Sequence, residues 1–247
     1  MLLALGSPGF TAMSVSYFSM PAHLLFNLVF AWLLLERTTA RLLAAGLVGS
    51  FALILHNPLP HTLFALPWII SVAHGPQRYR NLLVLGAGYL LFALPLGLGW
   101  PLLLSGIQGH TSYGLFAANA TDPMHRVADF FWNWHVRLRS AIDLPSLHIL
   151  GERTSDLTRL WNWAVPGLPL LAAAGWWLAR RDPRVRLFGL SMLVTLAGYM
   201  FVWFSQGNGW GARYLYPAGG VLPVLAAAAL GRVQADGVCA RLPGYVG

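Results

Sequence analysis

The chain has 247 residues, 57% of them hydrophobic and 10% charged, with a formal net charge of +8 and a mean hydropathy of +0.59. Soluble domains carry about a quarter charged residues, so this composition excludes a surface that faces water throughout. All 16 cations are arginines, most of them set in short clusters between apolar runs, with no basic face to track phosphates, which excludes nucleic acid as a partner.

Residues 1–16 have no basic start and are too short for a complete signal peptide. They read as an outer stump of an element whose beginning is absent. Seven apolar stretches follow: Tyr17–Leu35, Leu42–Leu55, Leu59–Ala73, Leu82–Leu104, Leu160–Ala179, Val185–Phe204 and Tyr214–Leu230. A membrane-spanning helix needs about 20 mostly apolar residues. The second and third stretches are short, and His56-Asn57-Pro58-Leu59-Pro60-His61 forces a turn between them. They make either two full spans, the preferred reading, or a re-entrant hairpin. The expected fold is an all-α integral membrane protein with about seven transmembrane helices. Its segments are an outer stump at 1–16, four spans over 17–104, an outer loop at 105–159, three spans over 160–231 and a cytoplasmic tail at 232–247.

Arginine placement fits this count. Arg37 and Arg41 follow the first span, Arg78 and Arg80 the third, Arg180, Arg181, Arg184 and Arg186 the fifth, and Arg232 and Arg241 the seventh. If each span crosses once, all fall on one side, which the positive-inside rule makes cytoplasmic; the N-terminus is then outside. A re-entrant hairpin preserves the same parity.

The long outer loop is expected to carry helices of its own. Asp122-Pro123 is a helix start, with Asp as cap and Pro at the first helical position. Val127, Phe130, Phe131, Trp134 and Leu138 then recur at helical spacing, as in a helix lying in the headgroup layer. A second short helix is expected to begin near Thr154 or Ser155 and run into Trp161 and Trp163. Asp129, Asp143, Glu152 and Asp156 read as solvated loop charges.

Gly207–Pro217, between the last two spans, concentrates the chemistry. Arg213 is a lone arginine in a short outer loop, among Trp210, Tyr214 and Tyr216, with Gly207, Gly209 and Gly211 allowing close backbone approach. A guanidinium suits bidentate contact with phosphate, so Arg213, Trp210 and Tyr214 are candidates for holding an anionic headgroup or lipid-linked phosphate. The alternative is an arginine snorkelling among interfacial aromatics. His56, Asn57 and His61 are candidates to line a cavity, or else form an ordinary polar turn. Their spacing is no zinc signature, and the one cysteine, Cys239, allows neither an internal disulfide nor a thiolate metal site, so no cofactor is expected; a divalent metal is conceivable there but the sequence does not support one. His23 and Asn27 share a face of the first span and are expected to bond to neighbouring helices. No carboxylate falls inside a span, which argues against a proton- or cation-coupled pump.

Three features together resemble the GT-C class of polytopic glycosyltransferases, including the bacterial lipid A arabinosyl- and mannosyltransferase-like proteins. They are Ser7-Pro8-Gly9-Phe10 before the first span, the short pair around HNPLPH, and Trp210-Gly211-Ala212-Arg213-Tyr214-Leu215 before a proline-containing last span. A group of bacterial membrane proteins with a glycine-tryptophan-glycine and arginine-tyrosine pattern in that loop is also similar. The resemblance covers most of this chain but only the later part of a full member. It implies a sugar taken from a polyprenyl-phosphate donor at the outer face of the inner membrane. Arg213 would hold the donor phosphate, His56 and His61 would line the cavity, and the helix around Phe130–Leu138 would help close it. The acidic base that such enzymes carry in the first outer loop has no counterpart before Met1, and Ser19-Met20-Pro21 stands where a matching acid would. The chain by itself is therefore expected to be inactive in transfer. A headgroup-binding or flippase-like protein, and a structural membrane subunit, are the non-catalytic alternatives.

Overall fold

The computed structural model describes residues 20–55, 58–100, 142–163, 165, 167–202 and 215–235, with single positions at 103, 135 and 139. Among these the chain is helical, without strands. The helices are α1 (Met20–Leu33), α2 (Thr39–Ile54), α3 (Pro58–Ala73), α4 (Arg78–Phe92), α5 (Leu147–Trp163), α6 (Leu168–Ala179), α7 (Pro183–Tyr199), α8 (Tyr216–Gly219) and α9 (Val221–Ala235). A π-helical stretch, Ala93–Gly99, continues α4 past Pro95. Proline supplies no N–H, and the wider turn accommodates it.

Two of these helices are long and apolar enough to cross a membrane: Arg78–Gly99, with 22 residues, and Tyr216–Gln234, with 19. At 1.5 Å per residue, they reach across a hydrocarbon core about 30 Å thick. Only 11% of the most apolar window of the first is buried in the protein, so its leucines point outward. Leu83, Leu90, Leu91 and Leu94 are each more than half exposed, as are Leu170, Trp177 and Leu178 on α6. A helix whose apolar side faces away from the core suits hydrocarbon better than water. The remaining apolar helices, α1, α2, α3 and α6, have 10–17 residues.

The helices meet through small residues. Gly46 on α2 lies against the backbone of Leu85, Gly88 and Tyr89 on α4, and a methyl group built on Gly88 would stand 2.8 Å from Gly46 Cα. Gly175 on α6 packs in the same way onto the Leu225 carbonyl of α9. Such contacts are how helices associate where hydrocarbon surrounds them. Around these seams the core gathers Phe30, Phe64, Trp68 and Phe188 with Leu42, Leu85 and Val221.

Helix direction follows from the contacts. Gly198 on α7 meets Leu63 on α3, the Ser191 hydroxyl donates to the Phe64 carbonyl, and Phe188 packs edge-on against Trp68. The two helices are therefore antiparallel, and the 180–186 loop lies at the Ala73 end of α3. At that same end Arg37 Nη2 donates to Ser71 Oγ (2.6 Å), and Arg80 Nη2 to Thr39 Oγ1 (2.6 Å). Loops 34–41, 74–80 and 180–186 thus share one end of the bundle. They carry eight arginines against two carboxylates, Glu36 and Asp182.

The opposite end differs from expectation in three ways. The helix expected from Thr154 starts two turns earlier, at Leu147, because Ser146 Oγ accepts from Ile149 N–H and its carbonyl from Leu150 N–H. The stretch Leu160–Ala179 is not one helix. Trp161 and Trp163 belong to α5, and Gly167, with a left-handed φ of 80°, separates it from α6. Nor is Asp156 a solvated charge. It is 1% exposed and pairs with Arg153, 2% exposed, at 2.6 Å. Arg153 Nε donates to the Tyr199 carbonyl (3.0 Å) and Nη2 to the Val202 carbonyl (2.7 Å). Those carbonyls lie at and beyond the end of α7, where helical bonding leaves acceptors unused. One guanidinium fastens the end of the long loop to the end of α7. Ile142 pairs with Val202 beside it, and Asp143 N–H donates to the Phe201 carbonyl.

Candidate functional site

Polar side chains inside an apolar bundle need partners, because hydrocarbon offers none. Asn27, on α1, is fully buried, and its Nδ2 donates to the Pro217 carbonyl of α8 at 3.2 Å. That leaves Oδ1 as an acceptor, and it lies 2.7 Å from His61 Nδ1 on α3. On the far side of the ring, His61 Nε2 lies 2.7 Å from the Tyr89 hydroxyl on α4. A neutral imidazole with its proton on Nδ1 satisfies both contacts: Nδ1–H donates to Asn27, and Nε2 accepts from Tyr89. Four helices are joined in one chain of hydrogen bonds. Phe30, one turn beyond Asn27, closes over His61 edge-on at 5.1 Å, and His23, one turn before Asn27, is fully buried.

This junction brings together two of the segments singled out in the sequence. His61 ends the HNPLPH stretch, and Pro217 ends the glycine-aromatic-arginine stretch that contains Arg213. Asn27 touches both. Of the other candidates, His56, Asn57, Trp210, Arg213 and Tyr214 lie outside the described residues, as does the helix expected around Phe130–Leu138. Leu215, the first described residue after Arg213, is 2% exposed and packs with Tyr199 and Val202, against Leu59 and Leu63. Leu215 therefore lies at the end of the bundle where Arg153 fastens α5.

The bonding expected of Asn27 is what the structure contains. Two contributors went unnoticed in the sequence. Tyr89 stands in an apolar run; the available signal was a hydroxyl in the middle of a stretch that otherwise offers none. The Arg153–Asp156 pair had the clearer signal, opposite charges three residues apart on a helix. A third polar contact, Trp68 Nε1 donating to Ser191 Oγ at 2.9 Å, links α3 to α7.

No family model, curated protein or solved structure matches the chain.

Proposed function

We propose that the chain is a multi-pass protein of a bacterial inner membrane and a glycosyltransferase of the polytopic class it resembles, taking a sugar from a polyprenyl-phosphate donor at the outer face. In this reading seven apolar segments cross the bilayer, the fifth of them α6 (Leu168–Ala179) in place of Leu160–Ala179, the arginine-rich end and the C-terminus face the cytoplasm, and the N-terminus lies outside. The observation that carries the proposal is the Asn27 junction. It ties the exit of the Gly207–Pro217 stretch, through Pro217, to the helix that follows HNPLPH, through His61. The anchor at Pro217 supports assigning the phosphate contact to the stretch that Pro217 ends. Arg213, with Trp210 and Tyr214, holds the donor phosphate; His56 and Asn57 line the cavity, and His61 braces its wall. The test is sugar transfer from a polyprenyl-phosphate donor by a full-length form that carries the acidic base, in membranes of cells expressing it. Arg213→Ala abolishes transfer and leaves membrane insertion intact; undiminished transfer in that variant refutes the role.

A second reading, a headgroup-binding or flippase-like protein without transfer chemistry, is favoured by one observation. Four of the five carboxylates among the described residues are committed to structure. Glu36 pairs with Arg41, Asp156 with Arg153, and Asp143 and Asp182 accept from the backbone N–H groups of Leu144 and Arg184. A binder needs no carboxylate base. Retained binding of a polyprenyl phosphate, without transfer by the full-length form, selects this reading.

A further inference from the structure

The arginine-rich end of the bundle holds a recess of about 500 Å³ lined by His74, Gly75, Gln77, Arg78, Tyr79 and Arg80. Arg78 and Arg80 are both exposed on the first turn of α4. Arg78 donates one bond, to the Tyr79 hydroxyl, and stacks over that ring at 4.8 Å. Arg80 donates to Gln77 Oε1 and Thr39 Oγ1. No carboxylate lines the recess, and eight arginines against two carboxylates leave six positive charges uncompensated on the three loops around it. The field there selects an anion.

What lies below the recess selects the kind of anion. Tyr79 is 70% exposed, and the same face of α4 continues through Leu83 (74%), Leu90 and Leu94. A cationic pocket thus stands directly above a bare apolar stripe running along the helix. A soluble phosphate would use the pocket and leave the stripe uncovered. A phospholipid uses both, with its headgroup phosphate against Arg78 and Arg80 and its acyl chains along Leu83 and Leu90.

We infer that this recess is a binding site for an anionic phospholipid of the inner leaflet, distinct from the outer-face site proposed above. The inference rests on the membrane-spanning part of that proposal and is independent of glycosyl transfer. Basic pockets at the cytoplasmic ends of membrane helices recognise anionic headgroups, each arginine contributing through charge as well as hydrogen bonding.

The experiment places the purified protein in lipid nanodiscs and compares retention of phosphatidylglycerol with that of phosphatidylcholine by native mass spectrometry. Assembly into nanodiscs checks the membrane reading by itself; failure to assemble overturns that reading and this inference with it. With assembly, the unaltered protein retains phosphatidylglycerol selectively, and Arg78→Gln with Arg80→Gln weakens retention by about thirtyfold, the general worth of two arginines at an anionic surface. Arg181→Gln with Arg184→Gln removes the same charge from the same end and weakens it by less than about threefold. Because Arg80 also bonds to Thr39, the single variant Arg78→Gln, which removes no contact between helices, must show a partial loss in the same direction. Equal loss from the two double variants, or equal retention of the two lipids, overturns the site. Full competition by soluble glycerol phosphate at equal concentration overturns a lipid as its occupant.

Discussion

Asn27 Oδ1 and His61 Nδ1 lie 2.7 Å apart, although 34 residues separate them in the chain, and the bond between them is buried on both sides. Asn27 and His61 each use a donor and an acceptor between helices, so removing Asn27 breaks two contacts. Asn27→Ala is expected to destabilise the protein by about 1–3 kcal/mol, measured by thermal unfolding in detergent. Tyr89→Phe removes one contact and costs less. A cycle combining Asn27→Ala with His61→Ala should give a coupling of about 0.6–1.7 kcal/mol, the range for such bonds inside membranes. Additive effects would show that the bond carries no stability.

The α2–α4 seam predicts opposite outcomes at two glycines. Gly46→Leu drives a side chain into the backbone of Gly88 and Tyr89 and should destabilise by about 3 kcal/mol or prevent assembly of the bundle. Gly86, one residue off the seam, has open space where a methyl group would stand. Gly86→Ala should be neutral or stabilising by up to about 1 kcal/mol, the helix-propensity difference. Detergent-resistant folding and melting temperature distinguish them.

The apolar helices were legible because their residues announce them: Leu42–Leu55 and Leu59–Ala73 correspond to α2 and α3 within a few residues. Leu160–Ala179 was misread because hydropathy sees an unbroken run there, whereas backbone geometry is decided by Gly167. Asp156 was misread for a related reason. A charge in a long loop looks solvated until its neighbour at i−3 and the free carbonyls of another helix are brought beside it. Asn27 could be picked out as a polar residue in an apolar span, but its partners are set by tertiary packing, which periodicity does not encode.

The Arg153 clamp predicts local release. Asp156→Ala removes the carboxylate paired with the buried Arg153 guanidinium, a loss of about 3–5 kcal/mol for such pairs. Part of that cost is recovered if α5 detaches from α7. Limited proteolysis should therefore cleave the 142–163 region faster in Asp156→Ala than in the unaltered protein, while the α2–α4 pair stays protected. Unchanged cleavage would mean that the clamp does not hold α5.

Which ends of the bundle face which compartment decides most of this account. Single cysteines at Glu152→Cys and Arg181→Cys, in a protein carrying Cys239→Ser, can be tested with a membrane-impermeant maleimide. In intact spheroplasts with an unbroken inner membrane, position 152 should be labelled, and position 181 should react only after permeabilisation. Labelling of both from the same side would contradict a bundle that crosses the bilayer with its arginines on the inner face.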